Sequence, residues 1–591
     1  MTSTTTIGHS ILSMRSRSAE KPAVQFKIKD RWVSKTWFEY YTEIERMGSA
    51  LLSLGIKPGD RVAIMANTRY EWSVADYAVM GIKAIVVPIY QNNTPEDVEY
   101  ILNNSGARMV FCETRGPLKT LDAVKGQCPA LEKIILLEDN SSHAEAITWS
   151  KMHEMGRAYL TERPHDYRDL CGELKLTDTA TLLYTSGTTG RPKGVVLTHL
   201  QVVSEVSEAF PLCGATEADI SLSFLPYAHI LGRIEHWGHT YIGYTMAYAE
   251  SLEKIRNNLI EIRPTFMVSV PRIFEKVYAG IWAQVQSSPI KSRLFKWALG
   301  VGEKVGEHKL SGQILPLDLL AQYELAKKLV LNKIVEAFGG RFRFAISGGA
   351  PISKEIISFF HSAGVLVLEG YGLTETTAAI CVNTPFNYRF GSVGRPIGEV
   401  KLKIAEDGEI LVKSNKVMKE YYKNPEATKE AFTDGWFHTG DIGEILPSGD
   451  LKITDRKKDL IKTAGGKYVA PQRLEGLLKL SPAIAQVLIH GDQKKYIVAL
   501  ITLERPFIEK FAKDKGLSLP WKDLVQHAAV QELIRGAVSE VNSQLASYES
   551  IKKFLILPDE WTVESGELTP SLKVKRKLLD QKLRDQIESL Y

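Results

Sequence analysis

The stretch Tyr184-Thr185-Ser186-Gly187-Thr188-Thr189-Gly190-Arg191-Pro192-Lys193-Gly194 carries the clearest chemistry in the chain. Glycines let a backbone turn sharply and bring its N–H groups close to an anion. The hydroxyls of Thr185, Ser186, Thr188 and Thr189 add donors and a candidate metal ligand, and Lys193 adds a compact positive charge. Such a segment cradles phosphate. It is not the common nucleotide loop, in which Gly-Lys-Ser/Thr runs into a helix. Here Gly194 follows the lysine, and strand-like residues flank the loop on both sides (180–184 and 195–198), so a hairpin is expected.

Three further clusters have residue types suited to a nucleotide. Ser347-Gly348-Gly349-Ala350-Pro351 and Glu369-Gly370-Tyr371-Gly372-Leu373-Thr374-Glu375-Thr376 each follow a strand-like run. They are expected at the carboxyl ends of strands, where α/β sheets bind ligands. Tyr371 offers a stacking face, and Glu375 is a hard ligand suited to Mg²⁺. Taken alone, the pair is equally two tight turns and a helix-starting glutamate. The segment Gly435 to Asp441 ends in a carboxylate that could bond both ribose hydroxyls, or simply hold a turn. Leu568 to Lys577 reads first as a basic solvated tail containing Lys573 and Lys575.

These residues need a scaffold, and 591 residues exceed one ordinary core. From about residue 20 to 340, short buried strands such as 61–65, 84–89 and 109–111 alternate with helical spacing at 71–83 and 94–104. That rhythm predicts α/β architecture with mostly parallel sheets. Residues 333–368 continue it. Beyond the charged knot Asp455-Arg456-Lys457-Lys458-Asp459 lies a small α+β domain, with a hairpin turning at 491–495. We therefore divide the chain into 1–455 and 456–591. A helical insert spans about 281–335, where Ile290, Leu294, Trp297, Ala298 and Val301 share a face beside Lys291, Arg293 and Lys296. The plain expectation is a core-facing helix; the sharper one is a basic surface for membranes or acyl groups.

Composition narrows the class. With 74 Lys+Arg against 69 Asp+Glu, the net charge of +5 is too small for a dedicated nucleic-acid binder. The five cysteines (Cys112, Cys128, Cys171, Cys213, Cys381) lack zinc or disulfide spacing, which suits a reducing cytosol. No run approaches the roughly 20 apolar residues of a spanning helix, so a cytoplasmic protein is expected, with peripheral contact at the inner membrane face left open. The oligomeric state is not readable.

Together and in this order, the four clusters resemble the AMP-forming acyl-CoA synthetases of the adenylate-forming superfamily, over nearly the whole chain. The insert and the loop Leu225-Pro226-Tyr227-Ala228-His229 resemble long-chain fatty-acid ligases in particular. The resemblance implies a large N-terminal domain with the acid and ATP sites, and a small mobile C-terminal domain. ATP, Mg²⁺ and CoA are the implied cofactors and co-substrates, and a fatty acid the implied partner. Thr185, Ser186, Gly187, Thr188, Thr189, Gly190 and Lys193 are implied to hold phosphates, and Thr185 with Glu375 the Mg²⁺. Gly349, Ala350, Glu369, Gly370, Tyr371 and Gly372 frame adenine, Thr374 meets the α-phosphate, and Asp441 with Arg456 holds ribose. Lys573 matches the lysine that enters during adenylation, although Leu572 stands where the family has glycine. Asp455 matches the hinge residue. His229 lies beside the acyl site, and Gly466 with Lys467 lines the thiol path. Arg233 replaces the tryptophan some long-chain members use as a gate. The alternatives are a ligase handing its adenylate to a carrier protein, an aryl-acid ligase, and a membrane-associated ATP sensor.

Overall fold

A computed structural model of the chain describes residues 5–139, 143, 145–185, 191–285, 288–563, 565–569 and 573–591. Two large sheets organise the first 400 residues. In the seven-stranded sheet, Ile85–Ile89, Arg61–Met65, Met109–Cys112 and Lys133–Leu136 run parallel, as the βαβ rhythm predicts. Their near-continuous burial explains why each strand reads as an uninterrupted apolar run. The connecting helices begin where the sequence supplies caps: Thr94 accepts from the Asp97 N–H ahead of Pro95–Ser105, and Thr198 caps His199–Leu212.

The nine-stranded sheet has a parallel centre made of Phe344–Ser347, Phe266–Ser269, Ile220–Ser223 and Thr245–Tyr248, with antiparallel strands toward both edges. A third, five-stranded sheet carries Trp436–Ile445 paired with Leu451–Arg456. Residues from Ile461 onward build a two-stranded hairpin and a three-stranded sheet over a separate apolar core. Ile484–His490 and Ile497–Leu503 pair antiparallel around the predicted turn.

Two expectations need correction. The segment Glu369 to Leu373 is not a tight turn but part of one strand, Leu366–Leu373. It pairs parallel with Phe344–Ser347 through Glu369 and then antiparallel with Ala378–Val382. Gly372 is required by that second pairing, because a Cβ there would stand 1.4 Å from the Ala378 carbonyl oxygen. The insert helix Pro289–Leu310 does not bury its whole apolar face. Ala298 and Val301 are buried, packing with Val305 and Leu319, whereas Ile290 is 80% and Leu294 38% exposed. Among the described residues no helix is long and apolar enough to cross a membrane.

The two large sheets are joined beneath the glycine-rich loop by buried charge. Asp76, on helix Tyr70–Gly81, pairs with Arg233, on helix Ile230–Ile242, and neither side chain meets solvent. The guanidinium lies 5.0 Å from the Trp72 ring centroid and 4.7 Å from that of Trp237. It also donates to Thr181 Oγ1 at 3.3 Å, on the strand that leads into the loop. The residue at the gate position is thus an anchored ion pair. Breaking a buried pair from one side leaves an uncompensated charge. Asp76→Ala is expected to lower unfolding stability by about 3–5 kcal/mol, read as a fall in the urea midpoint; an unchanged midpoint would refute the clamp.

Candidate active site

The loop flanks form the expected hairpin. Thr179–Thr185 and Lys193–Thr198 are antiparallel, with Thr185 directly opposite Lys193. Ser186, Gly187, Thr188, Thr189 and Gly190 lie outside the described residues. Lys193 is exposed, with its ammonium 5.0 Å from the centroid of the Tyr421 ring. The Tyr421 hydroxyl in turn donates to Glu375 Oε1 at 2.8 Å. One tyrosine therefore bridges the loop lysine and the acidic residue of the second cluster. Sequence reading missed Tyr421: it lies on the two-residue strand Glu420–Tyr421, whose pairing with Val195 and Val196 is long-range and leaves no local signal.

Thr374 and Glu375 occupy a single 3₁₀ turn, Thr374–Thr376, directly after the strand carrying Tyr371. The buried Tyr371 hydroxyl donates to Asp441 Oδ2 at 2.7 Å. Asp441 Oδ1 lies 3.3 Å from Arg456 Nε, its cross-strand neighbour in the five-stranded sheet. Burial pushes the Asp441 carboxyl up, while Arg456 and the tyrosine hydrogen bond pull it back. Burial also raises Glu369, whose carboxyl is pushed up to about 8.

Gly349 and Ala350 follow strand Phe344–Ser347 and are exposed, Gly349 with φ +80°. A Cβ on Gly349 would lie 3.9 Å from His229 Cε1, so these two residues line the same wall. His229 caps helix Ile230–Ile242: its Nδ1 accepts the Leu231 N–H at 3.2 Å. The neutral ring then carries its proton on Nε2. Loss of water around the ring, and then the positive Lys573, lower His229 to about 3, which keeps it neutral near pH 7.

Lys573 comes from the small domain. Its backbone is bonded to Thr569 at both ends (Thr569 N–H to Lys573 carbonyl, 2.8 Å; Lys573 N–H to Thr569 Oγ1, 3.0 Å), beside a bridge between Leu568 and Val574. The side chain keeps an exposed surface, yet protein surrounds it in the cleft and Arg456, Asp441 and Glu375 act on its charge. Desolvation, then Arg456, lower its ammonium to about 8, opposed by Asp441 and Glu375. Arg272 holds the small domain in place, donating to the Ala485 carbonyl at 3.4 Å and standing 3.6 Å from Glu504.

Asp455 ends the same strand as Arg456 and is buried, its carboxyl pushed up to about 6 by burial. It accepts N–H bonds from Arg456 at 2.6 Å and from Gln472, at the start of the small domain's first helix, at 3.4 Å. Gly466 and Lys467 stand on an exposed turn between Ile461–Lys462 and Tyr468–Val469. That hairpin is bonded to residues 492–494 of its own domain. The geometry thus unites Lys193, Tyr371, Glu375, Asp441, Arg456, Lys573 and His229 around one cleft.

Residues 14–422 match the family described as AMP-binding enzyme, and residues 458–591 match the AMP-binding enzyme C-terminal domain. The chain belongs to these AMP-binding enzymes of the adenylate-forming superfamily and is an AMP-forming ligase that makes an acyl-adenylate. Among its relatives is the long-chain-fatty-acid–CoA ligase FadD15 of Mycobacterium bovis, 37% identical over 567 residues, which cover 95% of this chain and 92% of that protein. The adenylation domain of a carboxylate reductase from Mycobacterium chelonae shares the fold, with TM-score 0.76, 23% identity, and 99% and 91% of the two chains covered. So does the O-succinylbenzoate coenzyme A synthetase of Bacillus subtilis, solved with ATP and a magnesium ion (TM-score 0.66, 20% identity, 97% and 99% covered).

The Lys573 environment is directly measurable. In NMR of isotopically methyl-labelled lysines, one resonance is expected to titrate near 8 while ordinary lysines titrate near about 10.4. That resonance should vanish in Lys573→Arg. If no lysine titrates early, the small domain does not place Lys573 in the cleft in solution.

Proposed function

We propose that the chain is a long-chain fatty-acid–CoA ligase, which converts fatty acid, ATP and CoA to acyl-CoA, AMP and pyrophosphate. The observation that supports the first half-reaction is that Lys573 of the small domain lies close enough to Glu375, Asp441 and Arg456 for their charges to act on its ammonium. The long-chain acid and the CoA acceptor rest on similarity to ligases such as FadD15. The five cysteines are free and buried, which supports a reducing, cytoplasmic setting.

In the first step the fatty carboxylate attacks the α-phosphorus; one P–O bond forms as the bond to pyrophosphate breaks. The carboxylate is already ionised near pH 7, so no general base is required. The chain must instead position the reactants and oppose the phosphate charge. Thr185, Ser186, Gly187, Thr188, Thr189, Gly190 and Lys193 take the β- and γ-phosphates, and Thr374 and Lys573 the region of the α-phosphate. Gly349, Ala350, Glu369, Gly370, Tyr371 and Gly372 frame the adenine. Asp441 serves the ribose: its two oxygens offer about four acceptor positions, and Tyr371 and Arg456 engage only two. His229 offers its Nε2–H beside the acyl group.

The donor set fits Mg²⁺, which is commonly held by one or two carboxylates together with substrate phosphates. Glu375 keeps its second carboxylate oxygen outside the Tyr421 bond, and Thr185 adds a hydroxyl at the mouth of the phosphate loop. Mg²⁺ bound there supplies charge neutralisation for the triphosphate.

In the second step the CoA thiol sulfur bonds the acyl carbon, the acyl–phosphate oxygen bond breaks, AMP leaves and the thiol proton passes to solvent. Adenylation uses Lys573 at the phosphates, and thioester formation uses the exposed Gly466–Lys467 turn on the thiol's path, so the two steps call for two arrangements of the small domain. Rotation about Asp455 exchanges the two.

Pyrophosphate release across chain lengths, with and without CoA, tests the reading. Release with long acids, and acyl-CoA only with CoA present, is the expected result; release without thioester formation moves the acceptor to a carrier protein. Lys573→Ala should slow adenylation by about 10²–10³-fold and largely spare thioester formation from preformed acyl-adenylate. For adenylation by the native enzyme, kcat/KM should fall as pH rises through about 8, where Lys573 loses its proton. Asp455→Pro should show the opposite bias, impairing the second step more. Equal losses in both half-reactions for either variant would remove that residue's assigned role.

A further inference from the structure

The turn that presents Glu375 is completed in unfavourable backbone. Thr377 and Ala378 are consecutive, and both have positive φ, 55° and 74°. A β-branched residue enters this region only when its surroundings impose it. Three bonds from outside the turn do so. Thr377 Oγ1 donates to the Lys416 carbonyl at 2.7 Å, and the Met418 N–H donates to the Glu375 carbonyl at 2.7 Å. The Ala379 N–H donates to Glu205 Oε1 at 3.1 Å.

Lys416 and Glu205 are themselves joined. The Lys416 ammonium lies 2.9 Å from Glu205 Oε2 and 3.1 Å from Glu208 Oε2. The Lys416 and Glu205 side chains are each 1% exposed. An apolar pair of similar volume often stabilises a fold as well as a buried ion pair does, so stability alone gives no reason for charge at this place. Its placement supplies one. Glu205 holds the backbone that leaves the turn, and Lys416 begins the segment that runs through Met418 to Tyr421, whose hydroxyl bonds Glu375 Oε1.

We propose that Glu205 and Lys416 are positioning residues for the Glu375 carboxylate. Their ion pair clamps Thr377–Ala379 against 416–421, so that Glu375 and Tyr421 meet Lys193 as one rigid unit. This inference rests on the reading of Glu375 as a Mg²⁺ ligand, and the test separates the two.

The variants are Lys416→Met and the double variant Glu205→Gln/Lys416→Met, with Glu375→Gln as reference. The double variant keeps the shape while removing both charges of the Glu205–Lys416 pair, leaving the part-exposed Glu208 to solvent, and so answers the question even if Lys416→Met alone fails to fold, which thermal melting reports. Three quantities are measured: the free Mg²⁺ giving half-maximal adenylation, calorimetric binding of α,β-methylene-ATP with and without Mg²⁺, and thioester formation from preformed acyl-adenylate. Loss of support around a metal ligand typically weakens the site about 10–100-fold. The folded clamp variants should therefore need at least about tenfold more Mg²⁺ and lose the Mg²⁺-dependent gain in analogue binding. Metal-free binding and the second half-reaction should stay near native. An unchanged Mg²⁺ requirement, or equal losses in both half-reactions, would overturn the clamp while leaving Glu375 in place. An unchanged requirement in Glu375→Gln would overturn the metal reading and the clamp with it.

Discussion

Asp441 is the point on which the three bodies of this molecule converge. Tyr371 reaches it from the nine-stranded sheet, Arg456 from the adjoining strand of the five-stranded sheet, and the charge of Lys573 acts on it from the small domain. A carboxylate this buried is tolerable only if its oxygens are bonded and a positive charge stands near. Those partners must come from separate parts of the chain, because no local segment offers both a phenol and a guanidinium in the right directions. Satisfying one buried charge thus fixes how the sheets meet. It also fixes where the strand carrying Arg456 ends and the small domain begins.

The same logic operates at the other buried charges. Asp76 and Arg233 tie a helix of one sheet to a helix of the other, and their contact with Thr181 extends the tie to the strand below the phosphate loop. A glycine-rich loop is useful to an anion only if its two ends are fixed, since otherwise ordering it would offset much of the binding free energy. Thr185 and Lys193 are fixed by the ladder between their strands, and the strand on the incoming side is fixed again by Arg233. Arg233 is in this way part of the scaffold beneath the site. A side chain that swings must have low-energy alternatives, whereas a desolvated guanidinium stacked between two indoles and paired to Asp76 has none of comparable energy.

How far the sequence could be read follows from the range of each interaction. The parallel strands were legible because double-sided burial writes an unbroken apolar run into residues 61–65 and 109–112. The helix start at Thr94 was legible because a cap is a local bond. For residues 369–373 the sequence left a tight turn and a strand-end site equally open: two glycines within four residues look like a bend, yet Gly372 serves a close strand pairing whose partner residue, Ala378, has no signature of its own. In the site, the glycine loop, Glu375, Asp441 and Arg456 stood out by their residue types and order. Tyr421, Glu205 and Lys416 did not, since each acts across more than 30 positions and looks by itself like an ordinary surface or core residue.

The state of Lys573 links this architecture to a two-step reaction. A lysine can have its ammonium destabilised by burial and by a neighbouring cation, as Arg456 does here, while arginine stays charged in almost any setting. The destabilisation has a use. A poorly hydrated ammonium gains more from a triphosphate than a well-hydrated one does, so in the proposed reading ATP favours the arrangement with Lys573 at the site. Once pyrophosphate has left, much of the negative charge that held Lys573 in place has gone with it. Charge still ties the small domain to the rest, since Arg272 stands 3.6 Å from Glu504 and Arg576 acts on Asp455. A partly exposed ion pair such as Arg272–Glu504 contributes about 0–1 kcal/mol. In the proposed reading, the charge carried away by the first product favours the movement the second step requires.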